Sequence, residues 1–446
     1  MTVLVSFGMP CAAADAATAP IPVMSNAELR TRIAHLEQEL EVLKAAVPQA
    51  RNDAPAASSL EQGRVAVVPT FALSAKQYPG MDTRFSIGGF IKIDAMETHT
   101  TDGPLADQAT ARDVYTPGTI PVGGNHPETY NNTHAKFSRL YIGADTVTDG
   151  GQRAGGYLEW DFSGNSLGSP NATNTYGLTV RQAYMYWGPW LAGQTWSNFM
   201  DAQALPDAVD LLGPADGAIF VRQAQLRYTH GGLSVSMENP HTTLTPYQGG
   251  STINSVDHSR FPDLVTRYRW NTGFGFIGVA AMARQISTEP AATVGTSYRS
   301  RSKQGTAVST MGMVKFGQAD DLRFAASYGN VIGRYLGYAG IASDALVDSQ
   351  GDIHLRYLWA SYAAWHHQFT PELRANLVYS RNGIDNDVHY TGGLVTRTTS
   401  SGRMNVIYSP LPIIDVGLEY MQGRRELEDD ERGTERRLQL TGKYAF

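Results

Sequence analysis

The sequence has little of what marks several common protein classes. Cys11 is the only cysteine among 446 residues, so the fold does not depend on a network of disulfides. Charged residues make up 17% of the chain and the net charge is −6, which argues against a nucleic-acid-binding protein. No window approaches the roughly 18 uncharged apolar residues that a transmembrane helix requires. A β-barrel would escape this hydropathy test, because its apolar and polar residues alternate along each strand.

Such an alternation is clearest in the last ten residues, 437–446. Leu438, Leu440, Gly442, Tyr444 and Phe446 fall on one face of a strand, and Arg437, Gln439, Thr441, Lys443 and Ala445 fall on the other. In a soluble sandwich the apolar face would meet a core. In a transmembrane barrel it would meet lipid, and the aromatic residues would lie at the bilayer interface.

The pattern recurs along most of the chain. Sixteen segments are candidate strands: 84–95, 135–146, 153–162, 177–187, 190–196, 219–229, 232–238, 263–271, 274–284, 304–316, 321–329, 355–369, 372–381, 402–409, 413–423 and 434–446. Their connections alternate between seven short ones, which carry Gly, Pro or Asn, and eight long ones. This alternation predicts an all-β, 16-stranded antiparallel outer-membrane barrel over residues 83–446, with tight periplasmic turns and long extracellular loops. Closure would pair the segment 84–95 with the segment 434–446, so that neither edge is exposed.

Two of these segments do not sort into an apolar and a polar face. The segments 177–187 and 355–369 mix both kinds of residue on both faces. We expect each of them to face a subunit contact or to carry a β-bulge.

The residues before the barrel divide into three parts. Residues 1–17 read as a signal peptide with small residues near a cleavage site, although Cys11 leaves a lipoprotein as an alternative. Residues 25–47 begin with a capping box and predict a helix, which residues 48–82 follow as a linker. The helix carries an apolar heptad seam of Leu29, Ile33, Leu36, Leu40, Leu43 and Val47. The seam favours self-association as a coiled coil, and packing on its own domain is the alternative.

Charged side chains on the strands indicate what the barrel could conduct. A charge that faces lipid is costly, so these side chains are expected to face the lumen or to lie near a membrane interface. The predicted basic positions are Lys92, Arg139, Arg153, Arg181, Arg267, Arg269, Arg323, Arg374, Arg403 and Arg437, with Lys315 and Lys443 in addition. The acidic ones are about half as many: Asp94, Asp145, Glu159, Asp161, Asp415 and Glu419. A basic wall would concentrate anions, whereas a ladder of ion pairs across the pore would cancel the charges.

A 16-stranded barrel is too wide to select solutes without a narrower region. The connection 197–212 is the candidate constriction, since it mixes apolar residues with Asp201, Asp207 and Asp210. It could fold inward opposite the arginines, or it could be an ordinary surface loop.

Nothing in the sequence predicts catalysis, a cofactor or a metal site. His366 and His367 lie on a candidate strand without a serine motif that points to them, and the other histidines lack metal-ligand spacing. A channel is therefore the leading hypothesis. A structural or adhesive barrel with a plugged pore is the second, and an outer-membrane lipid hydrolase is the third.

Four short segments carry a resemblance to a known family. Gly89-Phe-Ile-Lys-Ile-Asp-Ala95, Phe137-Ser-Arg-Leu-Tyr-Ile-Gly143, Arg181-Gln-Ala-Tyr184 and Trp190-Leu-Ala-Gly-Gln-Thr-Trp-Ser-Asn198 resemble the DcaP-like outer-membrane porin family. The resemblance extends over essentially the whole chain, and Gly193-Gln-Thr-Trp-Ser197 is its most specific part.

The resemblance implies a homotrimer of sixteen-stranded barrels in the outer membrane that passes small anions, dicarboxylic acids among them. It also implies that the amino-terminal helix is a periplasmic trimerisation segment and that Phe446 is the aromatic residue read during barrel assembly. Basic side chains would lie in the constriction, but the individual arginines named above follow from their strand faces and not from the resemblance.

Overall fold

The structure is a computed structural model that describes residues 81–106, 109–164, 176–249, 253–255, 259–288, 301–337 and 340–446. The predicted signal peptide, the helix 25–47 and nearly all of the linker 48–82 lie outside these residues. No helix in the described ranges is long and apolar enough to cross a bilayer.

The described residues form β-strands, labelled β1 to β21 in chain order, and a few short helices. The strands are β1 (Met81–Thr100), β2 (Glu128–His134), β3 (Arg139–Thr148), β4 (Arg153–Gly164), β5 (Gly177–Trp187), β6 (Trp190–Trp196), β7 (Arg222–His230), β8 (Leu233–Glu238), β9 (Thr242–Thr245), β10 (Ile253–Ser255), β11 (Asp263–Thr272), β12 (Gly275–Thr288), β13 (Arg301–Phe316), β14 (Asp320–Gly329), β15 (Ala345–Val347), β16 (Ile353–Leu355), β17 (Leu358–Gln368), β18 (Leu373–Ile384), β19 (Thr396–Leu411), β20 (Ile414–Leu427) and β21 (Arg432–Ala445). Short 3-10 helices span Thr110–Arg112, Pro117–Thr119, Ala202–Ala204 and Gly333–Tyr335, and one α-helical turn spans Val388–Thr391.

Seventeen of these strands form one closed antiparallel sheet. Strand β1 pairs with β3 along its first half and with β2 along its second half, so β2 and β3 together act as one barrel strand. The barrel therefore has sixteen strand positions, as predicted. Strand β1 also pairs with β21, from Phe90 opposite Ala445 to Thr100 opposite Glu435. This pairing closes the sheet and confirms the predicted contact between the first and last strands.

The break between β2 and β3 corrects the predicted strand 135–146. Phe137 is buried inside the barrel, and the ammonium of Lys136 lies 2.6 Å from the Asp113 carboxylate in the connection 101–127. The strand resumes at Arg139, while residues 128–134, which the sequence placed in a loop, continue the ladder. Strand β2 is polar on both faces, so no apolar periodicity marked it.

The two faces of the sheet follow the predicted alternation. Ile91 and Ile93 are each about half exposed on the outside, at 51% and 52%, whereas Lys92 and Asp94 are buried inside. In β21, Leu438 and Leu440 point outward, and the buried Arg437 and Gln439 point inward. The outer surface is thus apolar and the inner surface is polar and charged over much of its circumference.

The structure explains in two different ways why the segments 177–187 and 355–369 did not sort into an apolar and a polar face. In the strand 177–187 a β-bulge lies at Arg181, because Glu159 pairs with Gln182 while Trp160 pairs with Val180. The bulge turns the consecutive side chains of Arg181 and Gln182 into the lumen, and both are buried.

Strand β17 alternates regularly but is apolar on both faces. Ala360 and Tyr362 are buried inside, and Trp359 and Trp365 are exposed outside. Its inner face is part of a region that we call the apolar wall, the inner faces of β12, β13, β14 and β17. The wall consists of Phe276, Ala280, Met282, Ile286, Ala307, Met311, Ala325, Leu358, Ala360 and Tyr362.

A core of loop residues packs on the apolar wall. The connections 197–221 and 330–357 contribute buried side chains that include Phe199, Phe220, Ile332 and Tyr335. Two hydrogen bonds fix this packing: the Tyr362 hydroxyl donates to the Ala204 carbonyl at 2.9 Å, and the Phe220 amide donates to the Tyr335 carbonyl at 2.9 Å.

A second sheet of four short strands was not predicted. Strands β9 and β10 come from the connection between β8 and β11, and β15 and β16 come from the connection between β14 and β17. Strand β15 pairs in parallel with β9, which joins two long connections that are distant in sequence. Strands of three or four residues are too short to show a period.

Candidate functional site

The connection 197–221, called the inner loop below, lies against the inner surface of the barrel. All three of its predicted aspartates, Asp201, Asp207 and Asp210, are buried and lie within 4 Å of arginines on the strands. Asp201 also caps the 3-10 helix Ala202–Ala204 by accepting a hydrogen bond from the Gln203 amide at 3.0 Å. The inner loop therefore brings its carboxylates to the basic positions on the wall.

Asp207 and Asp210 contact the inner faces of β18, β19 and β21. The Arg374 guanidinium lies 2.5 Å from Asp207 and 3.4 Å from Asp415. Asp210 lies 3.9 Å from Arg403 and 3.6 Å from Arg437. It also accepts hydrogen bonds from the backbone amides of Tyr115 and Leu212, each at 3.0 Å. The Asp210 carboxylate thus holds the inner loop and the connection 101–127 beside Arg403 and Arg437.

The other predicted basic residues of the strands also have carboxylate partners, including Lys443 with Asp415 at 3.7 Å, except Lys315, which is exposed and has none among the described ion pairs. The pairs are Lys92 with Asp94 at 2.6 Å, Arg139 with Glu159 at 3.4 Å, Arg153 with Asp145 at 2.7 Å, Arg181 with Asp161 at 2.6 Å, and Arg323 with Asp321 at 2.8 Å. We call the inner faces of β1, β3 to β5 and β18 to β21 the charged wall. A ladder of ion pairs, the alternative weighed from the sequence, describes this wall. The excess of bases on the strands is reduced by the acids that the inner loop brings in.

On the inner faces of β7 and β11 the basic side chains outnumber the nearby carboxylates. Arg267 and Arg269 of β11 both face Asp201, at 3.5 and 2.7 Å. Arg227 of β7 lies near Arg267 across Ser234 and Ser236 of β8 in the strand register. Among the described residues, Asp201 is the carboxylate within 4 Å of Arg267 and Arg269, and the buried Glu238 of β8 acts on Arg227 and Arg267 from a greater distance. We call Arg227, Arg267 and Arg269 the arginine cluster.

Neutral groups position the arginine cluster. Arg267 donates to the Met200 carbonyl, and Arg227 donates to the Trp196 carbonyl and to the Gln225 side chain at 2.9 Å. The Arg269 guanidinium lies 3.8 Å from the centre of the Phe276 ring, at the edge of the apolar wall. The Arg267 and Arg269 side chains are 17% and 24% exposed, while that of Asp201 is 5% exposed. The bases are therefore more accessible than the acid that they share.

Sequence reasoning missed Arg227 and a second arginine group. Arg227 follows Gln223 and Gln225 at a period of two, so its face could have been read from the strand 219–229. Arg284 lies 2.9 Å from Asp263 and 2.7 Å from Asp344, and Arg334 lies 3.1 Å from Asp263. Asp344 and Arg334 belong to the connection 330–357, whose sequence has no period that could have revealed this contact.

Asp216 anchors the far end of the inner loop. It is fully buried and accepts hydrogen bonds from the hydroxyls of Tyr115 at 3.0 Å, Ser380 at 2.8 Å and Ser401. Burial raises the pKa of Asp216, and the serine hydroxyls offset only part of that shift. The carboxylate joins the inner loop to the connection 101–127 and to β18 and β19.

The histidines considered from the sequence make local contacts. A ring nitrogen of His366 lies 2.9 Å from the Asn376 amide oxygen, and a ring nitrogen of His367 lies 2.8 Å from the Asp320 carboxylate. Within the ranges that the structure describes, no group of three or more His, Cys, Asp or Glu side chains is arranged to hold a metal ion.

A closed antiparallel barrel with an apolar outer surface and an ion-paired interior defines a class of protein, the outer-membrane β-barrel of the porin type. Several solved structures share this fold, including the following two. The outer membrane channel DcaP of Acinetobacter baumannii matches with a TM-score of 0.67 and 24% identity, over 84% of this chain and 99% of that chain. An anion-selective porin from Comamonas acidovorans matches with a TM-score of 0.50 and 10% identity, over 82% of this chain and 100% of that chain.

The family assignment is more specific than the fold. The sequence model of the family described as DcaP outer membrane protein matches residues 23–446. The chain belongs to the DcaP outer membrane protein family, which confirms the resemblance carried by its strand motifs. No curated protein matches the sequence.

Proposed function

We propose that this protein is a passive outer-membrane channel that favours small anionic solutes, dicarboxylic acids among them. The observation that supports this best is the arginine cluster, in which Arg267 and Arg269 share one carboxylate, Asp201, within 4 Å. Arg227 stands beside them, and the buried Glu238 of β8 adds a second, more distant negative charge, so the bases still outnumber the acids. On the charged wall, by contrast, each predicted base lies within 4 Å of a carboxylate. The arginine cluster is thus the place where a mobile anion gains most from the field of the protein.

The geometry of the cluster suits carboxylates. Arginine offers two parallel N–H donors to a carboxylate, and Arg267 and Arg269 stand on the same face of β11, two residues apart. A solute with two carboxylates can contact both while it passes the inner loop. The partial exposure of these side chains keeps binding weak enough for release.

Reversal potentials test this proposal. In a salt gradient across a planar bilayer, the wild-type channel should show anion preference, and organic dicarboxylates should carry measurable current. Replacement of Arg267 and Arg269 together by Gln should shift the reversal potential toward cation preference, since Asp201 would lose both of its ion-pair partners. Arg153→Gln is the matched control, because Arg153 pairs with Asp145 away from the inner loop and both are over a third exposed. Cation selectivity of the wild type would contradict the proposal.

A second candidate is a structural or adhesive barrel with a plugged pore. The observation in its favour is the apolar core inside the barrel, where the connections 197–221 and 330–357 pack on the apolar wall. Single-channel recording separates the two candidates, since a plugged barrel gives no steady current and a channel gives discrete conductance steps.

We also propose the organisation of residues 1–82, which rests on sequence alone. Residues 1–17 would be a signal peptide, residues 25–47 a periplasmic coiled-coil helix that holds a homotrimer together, and residues 48–82 a linker. Deletion of residues 25–47 should lower the temperature at which the oligomer dissociates, read by gel mobility of unheated samples. An oligomer of unchanged heat resistance would show that the Leu29–Val47 seam is dispensable.

The proposed channel needs neither cofactor nor metal and catalyses no reaction. The lipid hydrolase hypothesis predicts a phospholipase activity that is lost when one serine and one histidine are replaced. We expect purified protein to release no fatty acid from phospholipid vesicles. Release that disappears in His366→Ala would favour the hydrolase.

A further inference from the structure

Three arginines on the outer surface of the barrel have no part in the pore. Arg381 of β18, Arg424 of β20 and Arg436 of β21 are exposed and lie on the lipid-facing side of their strands. The strand register brings them together. Arg381 and Arg424 both pair with Ser400 of β19, and Arg436 pairs with Gln422, two residues from Arg424. With strands about 4.8 Å apart, Arg381 and Arg424 lie about 10 Å from each other. We call these three the outer arginines.

Their height on the barrel matches the edge of the bilayer. Arg436 precedes Phe446 by ten residues along β21, a distance of about 33 Å along a strand. A strand tilted by about 40° then rises about 25 Å, which is the height of the apolar band of an outer-membrane barrel. The outer arginines therefore lie where the acyl chains end and the headgroups begin, on the side of the long connections.

Other arginines at this rim are neutralised by carboxylates. Arg397 pairs with Glu426 and lies 2.7 Å from Asp430, and Arg432 lies 3.4 Å from Glu426. Among the residues that the structure describes, no ion pair within 4 Å includes an outer arginine. The charge of Glu426 acts on Arg424, but Glu426 is itself paired with Arg397 and Arg432. The Arg436 guanidinium donates a 3.3 Å hydrogen bond to the Gln422 side chain. Three cations facing the membrane interface are most favourable when an anion from the lipid neutralises them.

A groove runs below the outer arginines on the same strands, one outward-facing row below Arg436 and two rows below Arg381 and Arg424. Aromatic residues of β17 lie at its lower end. Outward-facing side chains from β18 to β21 line the rest of it: Leu377, Met404, Val406, Leu418, Tyr420 and Leu438. In the register Leu377, Met404, Tyr420 and Leu438 form one row across the four strands, one row below Arg436. Cationic side chains above an apolar groove match a lipid with a charged headgroup and long chains.

We propose that the outer arginines and this groove form a binding site for one phosphate-bearing lipid with several acyl chains, in the leaflet next to the long connections. The phosphates contact Arg381, Arg424 and Arg436, and acyl chains occupy the groove. Charge complementarity favours a lipid over a second copy of this chain. A neighbouring subunit would have to bring carboxylates to all three arginines, whereas one lipid with two phosphates supplies this charge.

Binding of purified lipid A with two phosphates to the full-length detergent-solubilised protein tests the proposal, with bound lipid counted by native mass spectrometry. Each Arg→Gln change among the three should weaken binding about fivefold, and the triple variant roughly 100-fold, from about 1 kcal/mol for each basic residue at an anionic membrane surface. Arg84→Gln is the control and should bind as the wild type does, because this exposed arginine lies beside Asp82 at the other end of the barrel, on the side of the short connections. Leu418→Trp, which fills the groove without changing any charge, should also weaken binding.

Several results would overturn the proposal. They are unchanged binding by the triple variant, equal loss in the Arg84→Gln control, or displacement of lipid A by the same concentration of inorganic phosphate. Dissociation of the oligomer by Leu418→Trp with lipid binding intact would identify the groove as a subunit contact instead. Heat-modified gel mobility reports whether each variant folds. If the triple variant does not fold, the three single variants are compared with the wild type instead.

Discussion

The apolar wall and the charged wall hold the inner loop through different residues and different forces. The apolar wall buries Phe199, Ile219 and Phe220 beside the aromatic ring of Tyr335, whereas the charged wall receives Asp207 and Asp210 between arginines. Burial of apolar area is non-directional and contributes about 25 cal/mol per Å². Buried ion pairs depend on geometry, and their attraction is largely offset by desolvation. The comparison indicates that apolar contacts keep the loop inside the barrel, while ion pairs fix its position and the local field.

The largest effect should come from the apolar side. Phe199 is fully buried, so Phe199→Ala should lower the free energy of unfolding by about 3–5 kcal/mol through lost transfer energy and a cavity. Ion selectivity should change little, because no charge is removed. Denaturant unfolding of the detergent-solubilised protein measures the first effect and reversal potential the second. Phe316→Ala, on the exposed end of β13, is the control and should cost far less. Equal losses of unfolding free energy in Phe199→Ala and Phe316→Ala would contradict the distinction between the apolar wall and the charged wall.

A substitution on the charged wall should change the ion selectivity as well as the stability. Asp210→Asn keeps an acceptor oxygen for only one of the two backbone amides, of Tyr115 and Leu212, that Asp210 binds through separate oxygens. It also removes the negative charge beside Arg403 and Arg437. Leaving buried charge uncompensated should cost about 3 kcal/mol, and the reversal potential should shift toward stronger anion preference. Both are measured as for Phe199→Ala. If selectivity stayed constant while stability fell, Asp210 would have only a structural role.

A smaller effect should follow from crowding where the inner loop crosses β17. A Cβ added to Gly217 would lie 2.0 Å from the Ser361 carbonyl oxygen, so Gly217→Ala should destabilise the seated loop by about 1–3 kcal/mol. Displacement of the loop should also raise the single-channel conductance. Gly442→Ala in β21 is the matched control, since its added Cβ meets no atom within 4 Å. Wild-type conductance in Gly217→Ala would mean that the inner loop does not limit the current.

The smallest effect should be a pH dependence of the free energy of unfolding that arises from Asp216. Its pKa is raised in the folded protein by burial, so the folded state holds the proton more tightly than the unfolded state. The stability that this proton gives is present below the ordinary pKa of aspartate and is lost as the pH rises through the raised value. Asp216→Asn should therefore be more stable relative to the wild type at neutral pH than in acid. Unfolding at both pH values checks the sign, and a variant that loses more stability at neutral pH would contradict it.

The barrel was largely predictable because each strand carries its own evidence. Leu438 and Arg437 take opposite faces at a period of two, and the alternation of short and long connections set the number of strands. The same rule failed at β2, whose faces are both polar, and at β17, whose faces are both apolar because the inner loop covers one of them. Local pattern thus predicted the wall of the barrel but not what lies within it.

The candidate site was only partly predictable for a related reason. Strand faces placed Arg267 and Arg269 inside, but sequence could not tell which carboxylate each would meet. Asp201 approaches them from a loop, and Asp344 reaches Arg284 from a connection that becomes ordered by pairing β15 with β9. Loops have no period that specifies the wall they contact, so the ion-pair partners follow from tertiary packing alone.

The pairing of β1 with β21 also bears on how the protein folds. Gly89 and Phe446 exchange two backbone hydrogen bonds of 3.0 Å, although almost the entire barrel sequence separates them. Contacts of such separation are slow to form, because the entropy of a very long loop is lost before the contact is gained. Until β21 is in place, β1 presents an unpaired edge that can join another chain. Weakening this seam should therefore slow the closure of the barrel, and promote aggregation during folding, more than it destabilises the finished structure.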